Sequence, residues 1–436
     1  MKSTKRVRIL GLLAAFALVA AACNGADPTT TTAAPPPTPT QPPGGTPTTM
    51  GPMVWEPLYE GTLQIGSVLP QTGGLAVIGP AISEPIKMAI AEAAEAGNTF
   101  VALSEKDRGT DAQIANVSVD ELLNEGVSVI LGPAGTDVSL AVIDKITQAQ
   151  VPMCSPSNTG AVFTTYDDNG FYFRTAPPDN LQGAVHGDMI TDDGATSVAI
   201  LYQGTTYGRG LAEAIKARLE DNGVSVPEFI EFDPLATSFD AEAAQAAAAG
   251  VDAISIHGYA ELNLVVQSLI EAGVGPDVVQ LYGGDGFPDS VQAETVEPGN
   301  PAVLEGVRVT YPSLAPPDGE PTFGDRFAAF APDTPTIFSA HSFDCATIMI
   351  LAAEAAGSTD PVAIAAAVND VTRGGEKCSS YATCHALLQA GVDIDYDGAS
   401  GPLDFVDAGE PGAGAYTLQT YLADGKTQTD ATVSIP

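Results

Sequence analysis

The segment Val151-Pro-Met-Cys-Ser-Pro-Ser-Asn-Thr159 joins an apolar run to a cluster of hydroxyl and amide side chains. Residues 150–153 are predicted to form a buried strand, and Ser157, Asn158 and Thr159 lie in the loop after it. Loops at the carboxyl ends of strands bind ligands in open α/β sheets, because the strand is rigid and the next helix offers free backbone N–H groups. The loop is therefore predicted to form one wall of a small-molecule site. An ordinary polar turn between a strand and a helix is the alternative.

Strands and helices alternate on both sides of this segment. Apolar runs predict strands at 62–68, 99–103, 127–131, 171–175, 197–202, 228–232, 251–256 and 278–283. Amphipathic stretches between them predict helices, including one at 137–148. This alternation indicates an α/β fold with doubly wound parallel sheets.

The chain has 436 residues, more than one hydrophobic core usually serves, so two lobes are expected. The proline-rich segment Ala176-Pro-Pro-Asp179 is predicted to be the first crossing between them, and Tyr311-Pro-Ser313 the return. The predicted division is lobe 1 at 58–176 and 311–405, and lobe 2 at 177–310 and 406–436.

Charge and motifs exclude several classes of function. The net charge is −37, with 17 basic and 54 acidic residues, which disfavours binding to nucleic acid. The sequence lacks GxGxxG after the first strand, and it lacks the Walker, GxSxG, HExxH and CxxC motifs. Its four histidines are scattered without ligand spacing: His186, His257, His341 and His385. No catalytic residue, metal or cofactor is therefore predicted.

The N-terminus has the pattern of an export signal. Basic residues precede an apolar run at 9–22, and Ala20-Ala21-Ala22 stands directly before Cys23. This end resembles the lipobox of bacterial lipoproteins, so residues 1–22 are predicted to be a signal peptide and Cys23 the lipidated residue. The Thr- and Pro-rich stretch 23–57 is predicted to be an extended linker. The alternative is a plain signal peptide with an incidental cysteine.

The remaining cysteines and one acidic loop leave alternatives open. Cys378 and Cys384 are close in sequence, and a disulfide is expected between them in an exported protein. Cys154 and Cys345 could be two buried thiols or a second bridge, and buried thiols are slightly favoured. The segment 393–404 resembles a calcium loop, but its twelfth residue is Asp rather than Glu. A tight turn before a strand at 403–406 is therefore preferred.

Polar loops after predicted strands indicate a ligand with two charged ends. Thr136 and the group Ser157, Asn158 and Thr159 offer hydroxyl groups and helix-start N–H groups from lobe 1, the donors that a carboxylate needs. From lobe 2, Asp285 offers an anion for an ammonium group, and two tyrosines offer aromatic walls: Tyr207 and Tyr259. This division predicts an α-amino acid bound between the lobes.

Four motifs resemble the branched-chain amino-acid binding proteins of ABC importers. They are Val-Pro-Met-Cys-Ser-Pro-Ser-Asn-Thr159, Tyr172-Phe-Arg-Thr-Ala-Pro-Pro-Asp179, Tyr207-Gly-Arg-Gly-Leu211 and Gly-Gly-Asp-Gly286. The resemblance covers about residues 60–430 and implies a type I periplasmic binding-protein fold with two lobes joined by a three-strand hinge. It implies that Thr136, Ser157 and Thr159 take the carboxylate, that Tyr207 and Tyr259 cover the ligand, and that Asp285 takes the amine.

Two departures from that family concern side-chain specificity. Ser83-Glu-Pro85 replaces the usual small, Gly-containing helix start, and Leu75-Ala-Val77 offers no aromatic side chain. The favoured function is a monomeric, lipid-anchored solute-binding protein on the extracytoplasmic face, which passes an amino acid to an ABC permease in the membrane. A sensor for amides, urea or other small solutes is the alternative. An exported enzyme is disfavoured, because no nucleophile–base pair was found.

Overall fold

The computed structural model describes residues 57–288, 290–313 and 322–435 of the chain. The predicted signal peptide, Cys23 and the linker before residue 57 lie outside them. The strands are β1 (Leu63–Leu69), β2 (Val101–Asp107), β3 (Val129–Leu131), β4 (Met153–Ser155), β5 (Tyr172–Arg174), β6 (Ser197–Gln203), β7 (Ser225–Phe232), β8 (Ala253–His257), β9 (Gln280–Gly283), β10 (Arg308–Pro312), β11 (Glu376–Cys378), β12 (Ile394–Gly398), β13 (Gly401–Pro402), β14 (Gly414–Tyr421) and β15 (Thr427–Ile435).

The α-helices cover the faces of these sheets. They are α1 (Gly79–Glu95), α2 (Ala112–Glu125), α3 (Thr136–Leu140), α4 (Ile143–Gln148), α5 (Asp179–Asp192), α6 (Thr206–Asp221), α7 (Asp240–Ala249), α8 (Leu262–Glu271), α9 (Ala293–Val296), α10 (Phe323–Phe330), α11 (Ser339–Ala356), α12 (Pro361–Val368) and α13 (Tyr381–Gln389).

Two large sheets organise the described residues, beside a small third sheet of order β11-β12-β13. The first is parallel, with strand order β2-β1-β3-β4-β5, and it carries α1 to α4 and α10 to α13 as lobe 1. The second has the order β15-β14-β10-β9-β8-β6-β7 and carries α5 to α9 as lobe 2. Only β14 and β15 of the second sheet run antiparallel to their neighbours. The predicted α/β class with parallel-sheet lobes is confirmed.

Apolar side chains cover both faces of each sheet. Along β6, Val198 and Ile200 join one cluster while Ala199 and Leu201 join the cluster on the other face. Such strands carry unbroken apolar runs because helices cover them on both sides. Helix α11 is buried through most of its length, since it lies between α1, α12 and the sheet of lobe 1. A helix buried on all sides needs no polar face, and polar side chains of α11 such as Asp344 and Glu354 are buried with hydrogen-bond donors.

The chain passes between the lobes three times. It leaves lobe 1 after β5, returns after β10, and leaves again before β14. The first and third passages are bonded together, because the Arg174 N–H donates to Gly409 O at 2.9 Å. The second and third are also joined, since Ser313 N–H donates to Ala415 O at 2.9 Å. These connections form the hinge region.

Several predicted boundaries were wrong for identifiable reasons. The strand predicted at 150–153 begins only at Met153, because Pro152 has no N–H to donate to a sheet. The strand predicted at 403–406 is absent among the described residues; only Phe405 forms an isolated bridge, to Pro411, and Asp404 has a φ of 37°. Left-handed backbone of that kind interrupts an extended strand.

The helix predicted at 137–148 is also interrupted. It divides into α3 and α4 at Val142, whose φ is −126°. Val142 and Ile143 are both completely buried. Neighbouring residues of a straight helix point in different directions, so we attribute the bend to the burial of both side chains.

Both cysteine pairs lie at disulfide distance. Cys378 and Cys384 form the expected bridge, with a Cα–Cα distance of 5.3 Å. The preference for free thiols at Cys154 and Cys345 was wrong, since their Cα atoms are 5.8 Å apart and the sulfurs are bonded. Packing of α11 against β4 brings these cysteines together across 191 residues of sequence.

The acidic segment near residue 395 is arranged around a lysine. The Lys377 ammonium lies 3.0 Å from Asp395 and 2.8 Å from Asp397. It also lies 3.5 Å from Asp404, the residue at the twelfth position of the calcium-like loop. Within the described ranges, no group of His, Cys, Asp and Glu side chains is arranged to hold a metal ion.

None of the described helices is by itself long and apolar enough to cross a membrane. The pair α11 and α12 passes that test only when taken together, across a bend of 109°.

Candidate functional site

A small cavity lies between the lobes, where the loops after several strands meet. From lobe 1 it is lined by Leu75, Ile78, Gly135, Ser157, Thr159, Ile337 and Phe338, and from lobe 2 by Tyr259, Asp285, Gly286, Pro288 and Ser290. Four of the predicted ligand residues are therefore together: Ser157, Thr159, Tyr259 and Asp285. Each comes from a loop that follows a strand, as expected for parallel sheets.

The loop after β4 supplies the hydroxyl groups of the cavity. Ser157 Oγ is buried and has no hydrogen-bond partner among the described residues. Thr159 is 1% exposed, and its carbonyl accepts a hydrogen bond from the Asp179 N–H at 2.7 Å. The loop is thus held by its backbone, which leaves Ser157 Oγ available as a donor to a ligand.

Two other predicted residues make contacts within lobe 1. Thr136 Oγ1 accepts a hydrogen bond from the Gly160 N–H at 3.3 Å and supports the same loop. The Asn158 amide donates to Tyr172 Oη at 3.2 Å and accepts from Ser139 Oγ at 3.2 Å. Both side chains are placed behind the wall of the cavity, and neither lines it.

The lobe 2 side of the cavity centres on Asp285. Its carboxylate accepts a hydrogen bond from Tyr207 Oη at 2.7 Å, and the Tyr207 ring stacks on Tyr259 with 5.0 Å between centroids. Gly286 is required beside it, since a Cβ there would lie 2.1 Å from Gly258 O. Tyr207 therefore positions Asp285 and Tyr259 from behind, while those two residues line the cavity.

Asp179, predicted from the sequence only as part of the hinge, adjoins Asp285. It is completely buried, and neither of its carboxylate oxygens accepts a hydrogen bond of good geometry from the described residues. Burial, and then the negative charge of Asp285, raises the pKa of Asp179, although the Thr159 hydroxyl reduces the effect. Burial also raises the pKa of Asp285, against the opposing Tyr207 hydrogen bond. Two adjacent buried acids favour a cation between them.

The remaining wall is apolar. Leu75 and Ile78 come from the turn before α1, and Ile337 and Phe338 come from the turn before α11. Phe338 has a φ of 56°, a backbone conformation that is rare for a large side chain. The aromatic side chain missing from Leu75-Ala-Val77 is thus supplied from a segment more than 250 residues later in the sequence, which the sequence analysis did not identify.

Arg108, also missed from the sequence, lies behind the apolar wall. It is 0% exposed, and its three guanidinium nitrogens have no hydrogen-bond partner within the described residues. A Cβ placed on Gly135 would be 3.6 Å from Arg108 Nη2, so the guanidinium lies against the cavity wall. Burial lowers the pKa of Arg108 to about 10, and the side chain therefore stays charged at neutral pH.

The two lobes are in contact beside the cavity. Asp137 of α3 accepts hydrogen bonds from Thr206 N–H at 2.9 Å and Tyr207 N–H at 3.4 Å, at the beginning of α6. A carboxylate is favourable there because the N-terminus of a helix carries partial positive charge. The cavity volume is about 20 Å³, which is room for about one water molecule. An amino acid would therefore enter only if the lobes separate.

The histidines occupy structural positions. His186 and His257 share the Ser255 hydroxyl, at 2.9 and 2.8 Å, inside lobe 2. Burial lowers the pKa of His186 to about 3. Burial also lowers the pKa of His257. Neutral, buried imidazoles of this kind belong to the core, and none of the four histidines lines the cavity.

The chain is similar to a known protein family and to known relatives. A family model described as periplasmic binding protein matches residues 62–426. The Leu/Ile/Val-binding protein homolog 2 of Brucella abortus is 29% identical over 318 residues, which cover 71% of this chain and 82% of that protein.

Solved structures share the fold at lower identity. A leucine-binding protein from Thermotoga maritima aligns with a TM-score of 0.70 and 22% identity, over 85% of this chain and 99% of that one. An ABC-transporter solute-binding protein from R. palustris, in complex with benzoate, aligns with a TM-score of 0.69 and 16% identity, over 86% of this chain and 97% of that one.

Proposed function

The chain belongs to the periplasmic binding protein family, and we propose that it captures an α-amino acid with an apolar side chain and delivers it to an ABC importer. As the family implies, it is a solute-binding protein and not an enzyme. The ligand, the lipid anchor and the delivery step are the parts that we propose.

The observation that carries this proposal is the pair of buried acids at one end of the cavity. Asp285 is bonded to Tyr207, whereas both oxygens of Asp179 are buried without a donor of good geometry in the described structure. A buried carboxylate is costly unless a charged partner or hydrogen bonds stabilise it. A primary ammonium group supplies three donors and one positive charge, which suits this end of the cavity.

The other walls fit the rest of an amino acid. Ser157 and Thr159 line the lobe 1 side, and the unpartnered Ser157 Oγ can donate to a carboxylate. Leu75, Ile337 and Phe338 form an apolar surface suited to an aliphatic or aromatic side chain. The similarity to a Leu/Ile/Val-binding protein homolog supports the same ligand class.

Capture would proceed by closure of the hinge. A ligand that contacts lobe 1 through Ser157 and lobe 2 through Asp285 stabilises the closed arrangement, in which Asp137 also binds the beginning of α6. Closure would present the paired lobes to the permease. Small-angle scattering should show compaction on addition of the ligand, and an unchanged radius of gyration with a bound ligand would contradict this mechanism.

Tethering at the membrane follows from the N-terminal pattern. Residues 1–22 and Cys23 have the order of a lipoprotein signal, and the 23–57 stretch would act as a spacer. Mass analysis of the mature N-terminus tests this part: a diacylated Cys23 is expected, and an unmodified residue other than Cys23 would refute the anchor.

An aromatic carboxylic acid is a second candidate ligand. Phe338 in the apolar wall could stack on an aromatic ring, and a structural neighbour was solved with benzoate. Such a ligand would leave Asp179 and Asp285 without a cation, so we rank it below an amino acid.

A ligand panel followed by calorimetry tests the proposal. Leucine, isoleucine, valine, phenylalanine, benzoate, acetamide and urea would first be compared by thermal shift. Asp285→Asn should then weaken binding of the best amino acid by about 3 to 5 kcal/mol, because the buried ammonium loses its counter-ion. Unchanged affinity would refute the role of Asp285.

Asp344→Asn is a matched control for that measurement. Asp344 is equally buried, but Tyr396 Oη, Ala399 N–H and Ser400 N–H donate to it within lobe 1. This substitution should lower the stability of the protein and leave its ligand preference unchanged.

A further inference from the structure

A second charged group at the cavity has no partner, and its position bears on the chemistry of the ligand. Arg108 follows β2, and its backbone is fixed on both sides: its N–H donates to Leu69 O at 3.2 Å, and its carbonyl accepts from Asp111 N–H at 3.0 Å. The side chain is therefore directed into the interior by a rigid loop.

The adjacent acid, Asp107, attracts the Arg108 guanidinium through space but does not hydrogen-bond to it. The Asp107 carboxylate already accepts hydrogen bonds from Gln71 N–H, Thr72 N–H and Gly109 N–H. The Nε atom and both Nη atoms of Arg108 are buried without an acceptor among the described residues. A buried guanidinium without a counter-ion is strongly unfavourable.

Two residues of the cavity wall lie close to the Arg108 guanidinium. Gly135 places no side chain between the cavity and the guanidinium, since a Cβ there would lie 3.6 Å from Nη2 and 3.9 Å from Cζ. Tyr259, which comes from lobe 2, lies close enough for its phenol to interact electrostatically with the Arg108 guanidinium. Opening of the lobes would remove Tyr259 and admit water, so the charge is isolated only on closure.

From this arrangement we infer that Arg108 binds the carboxylate of the ligand and makes closure depend on that anion. The inference rests on the proposed function and extends it, because only hydroxyl groups and helix-start N–H groups were expected to hold the carboxylate. Closure without an anion isolates the guanidinium, whereas a carboxylate near Gly135 would form a charge-assisted, fork-shaped contact with it. A neutral amide in the same position could not provide this compensation.

The test compares ligands that differ by one charged group. Wild-type protein, Arg108→Met and Arg108→Lys are titrated by calorimetry with L-leucine, L-leucinamide, 4-methylpentanoate and benzoate. Wild type should prefer leucine to leucinamide by about 100-fold, which is the scale for removal of one partner of a buried charge pair. Arg108→Met should reduce that ratio to a few-fold, and Arg108→Lys should retain an intermediate ratio.

Other outcomes separate the two proposals. If Arg108→Met keeps the wild-type ratio, or if wild type binds leucinamide as well as leucine, the inference about Arg108 fails and amino-acid binding stands. If wild type ignores leucine but binds benzoate in an Arg108-dependent manner, the amino-acid proposal fails and the inference stands. If wild type binds none of the carboxylates, both fail.

Stability without added ligand supplies a second readout. Arg108→Met should unfold at the same temperature as wild type or at a higher one, because it removes an uncompensated charge. Arg174→Met, at the other fully buried arginine, should unfold several degrees lower. A decrease for Arg108→Met that equals the decrease for Arg174→Met would mark Arg108 as a structural residue and overturn the inference.

Discussion

Two arginines of lobe 1 are completely buried, and they differ in every contact. Arg174 donates from Nε to Glu410 at 2.8 Å and from Nη1 to the carbonyls of Asn158 and Gly160 at 3.0 and 2.8 Å. Its Nη2 pairs with Glu410 and with Thr164. Arg108 makes no such contact in the described structure. The contrast shows that burial alone does not identify a structural charge.

The location of each arginine agrees with its contacts. Arg174 ends β5 at the first passage of the hinge, and Glu410 lies on the third passage, so their ion pair holds two hinge segments together. Arg108 lies against the wall of the cavity. Two buried acids differ in the same way. Hydrogen-bond donors contact the Asp344 carboxylate, whereas both carboxylate oxygens of Asp179 lack a donor of good geometry. Buried ionisable groups without partners are candidates for ligand contact.

The largest effect is expected on stability, when the contacts of Arg174 are removed. Arg174→Met should lower the free energy of unfolding by about 3 to 5 kcal/mol, because Glu410 would remain buried without its partner. Urea denaturation measures the change. Adding Glu410→Gln to this variant should restore part of the loss by removing the isolated charge. If the free energy of unfolding of Arg174→Met alone were within about 1 kcal/mol of the wild-type value, the structural role of Arg174 would be contradicted.

A smaller effect is expected at a hydroxyl of the cavity. Thr159→Val should weaken amino-acid binding by roughly 1 to 2 kcal/mol, since one hydrogen-bonding group is lost while Ser157 remains. Calorimetry measures the change. Thr191→Val is the matched control, because its hydroxyl donates to Gly187 O at 2.7 Å within α5. Equal affinities for wild type and Thr159→Val would exclude a direct role.

The acids should also make binding depend on pH. The pKa of Asp285 is raised to about 6 and that of Asp179 to about 8, mainly by burial. Burial favours the protonated form of each acid. The stability that this form contributes to the closed protein is lost as the pH rises through the two pKa values. An ammonium ligand requires the ionised acid instead. Protonation of Asp285 alone should therefore lower the affinity for an amino acid about tenfold between pH 8 and pH 5.

Titrations at several pH values would check this dependence. The profile should be flatter in Asp285→Asn, which cannot ionise at that position. Asp344→Asn should keep the wild-type profile, because Asp344 lies in the satisfied group. A profile that is flat in wild type would argue against an ammonium at the acid pair.

The smallest expected effect concerns the contact between the lobes. Asp137→Asn should weaken ligand affinity by about 1 kcal/mol, because the neutral amide interacts less favourably with the N-terminus of α6. The loss acts on closure and not on the ligand itself, so every ligand should weaken by the same factor. Calorimetry with leucine and a second bound ligand tests this, and a change confined to one ligand would contradict it.

The sequence anticipated the part of the site that follows a local rule. Ser157, Thr159, Tyr259 and Asp285 were predicted because each follows a strand, and all four line the cavity, while their role in binding stays a prediction. Arg108 obeys the same rule, but β2 was predicted to end at residue 103 and it continues to Asp107. The polar residues of this edge strand concealed its length. Boundaries predicted for the lobes, at residues 58, 177, 311 and 406, stay predictions.

Sequence alone therefore determined the α/β class, the absence of catalytic motifs and most strand-end polar residues, because these depend on periodicity and composition over short stretches. Only the tertiary structure decided that Cys154 is bonded to Cys345, that Phe338 completes the apolar wall, and that Arg174 is paired while Arg108 is not. Whether a buried charge has a partner depends on distances between segments far apart in the chain, and local sequence does not encode those distances.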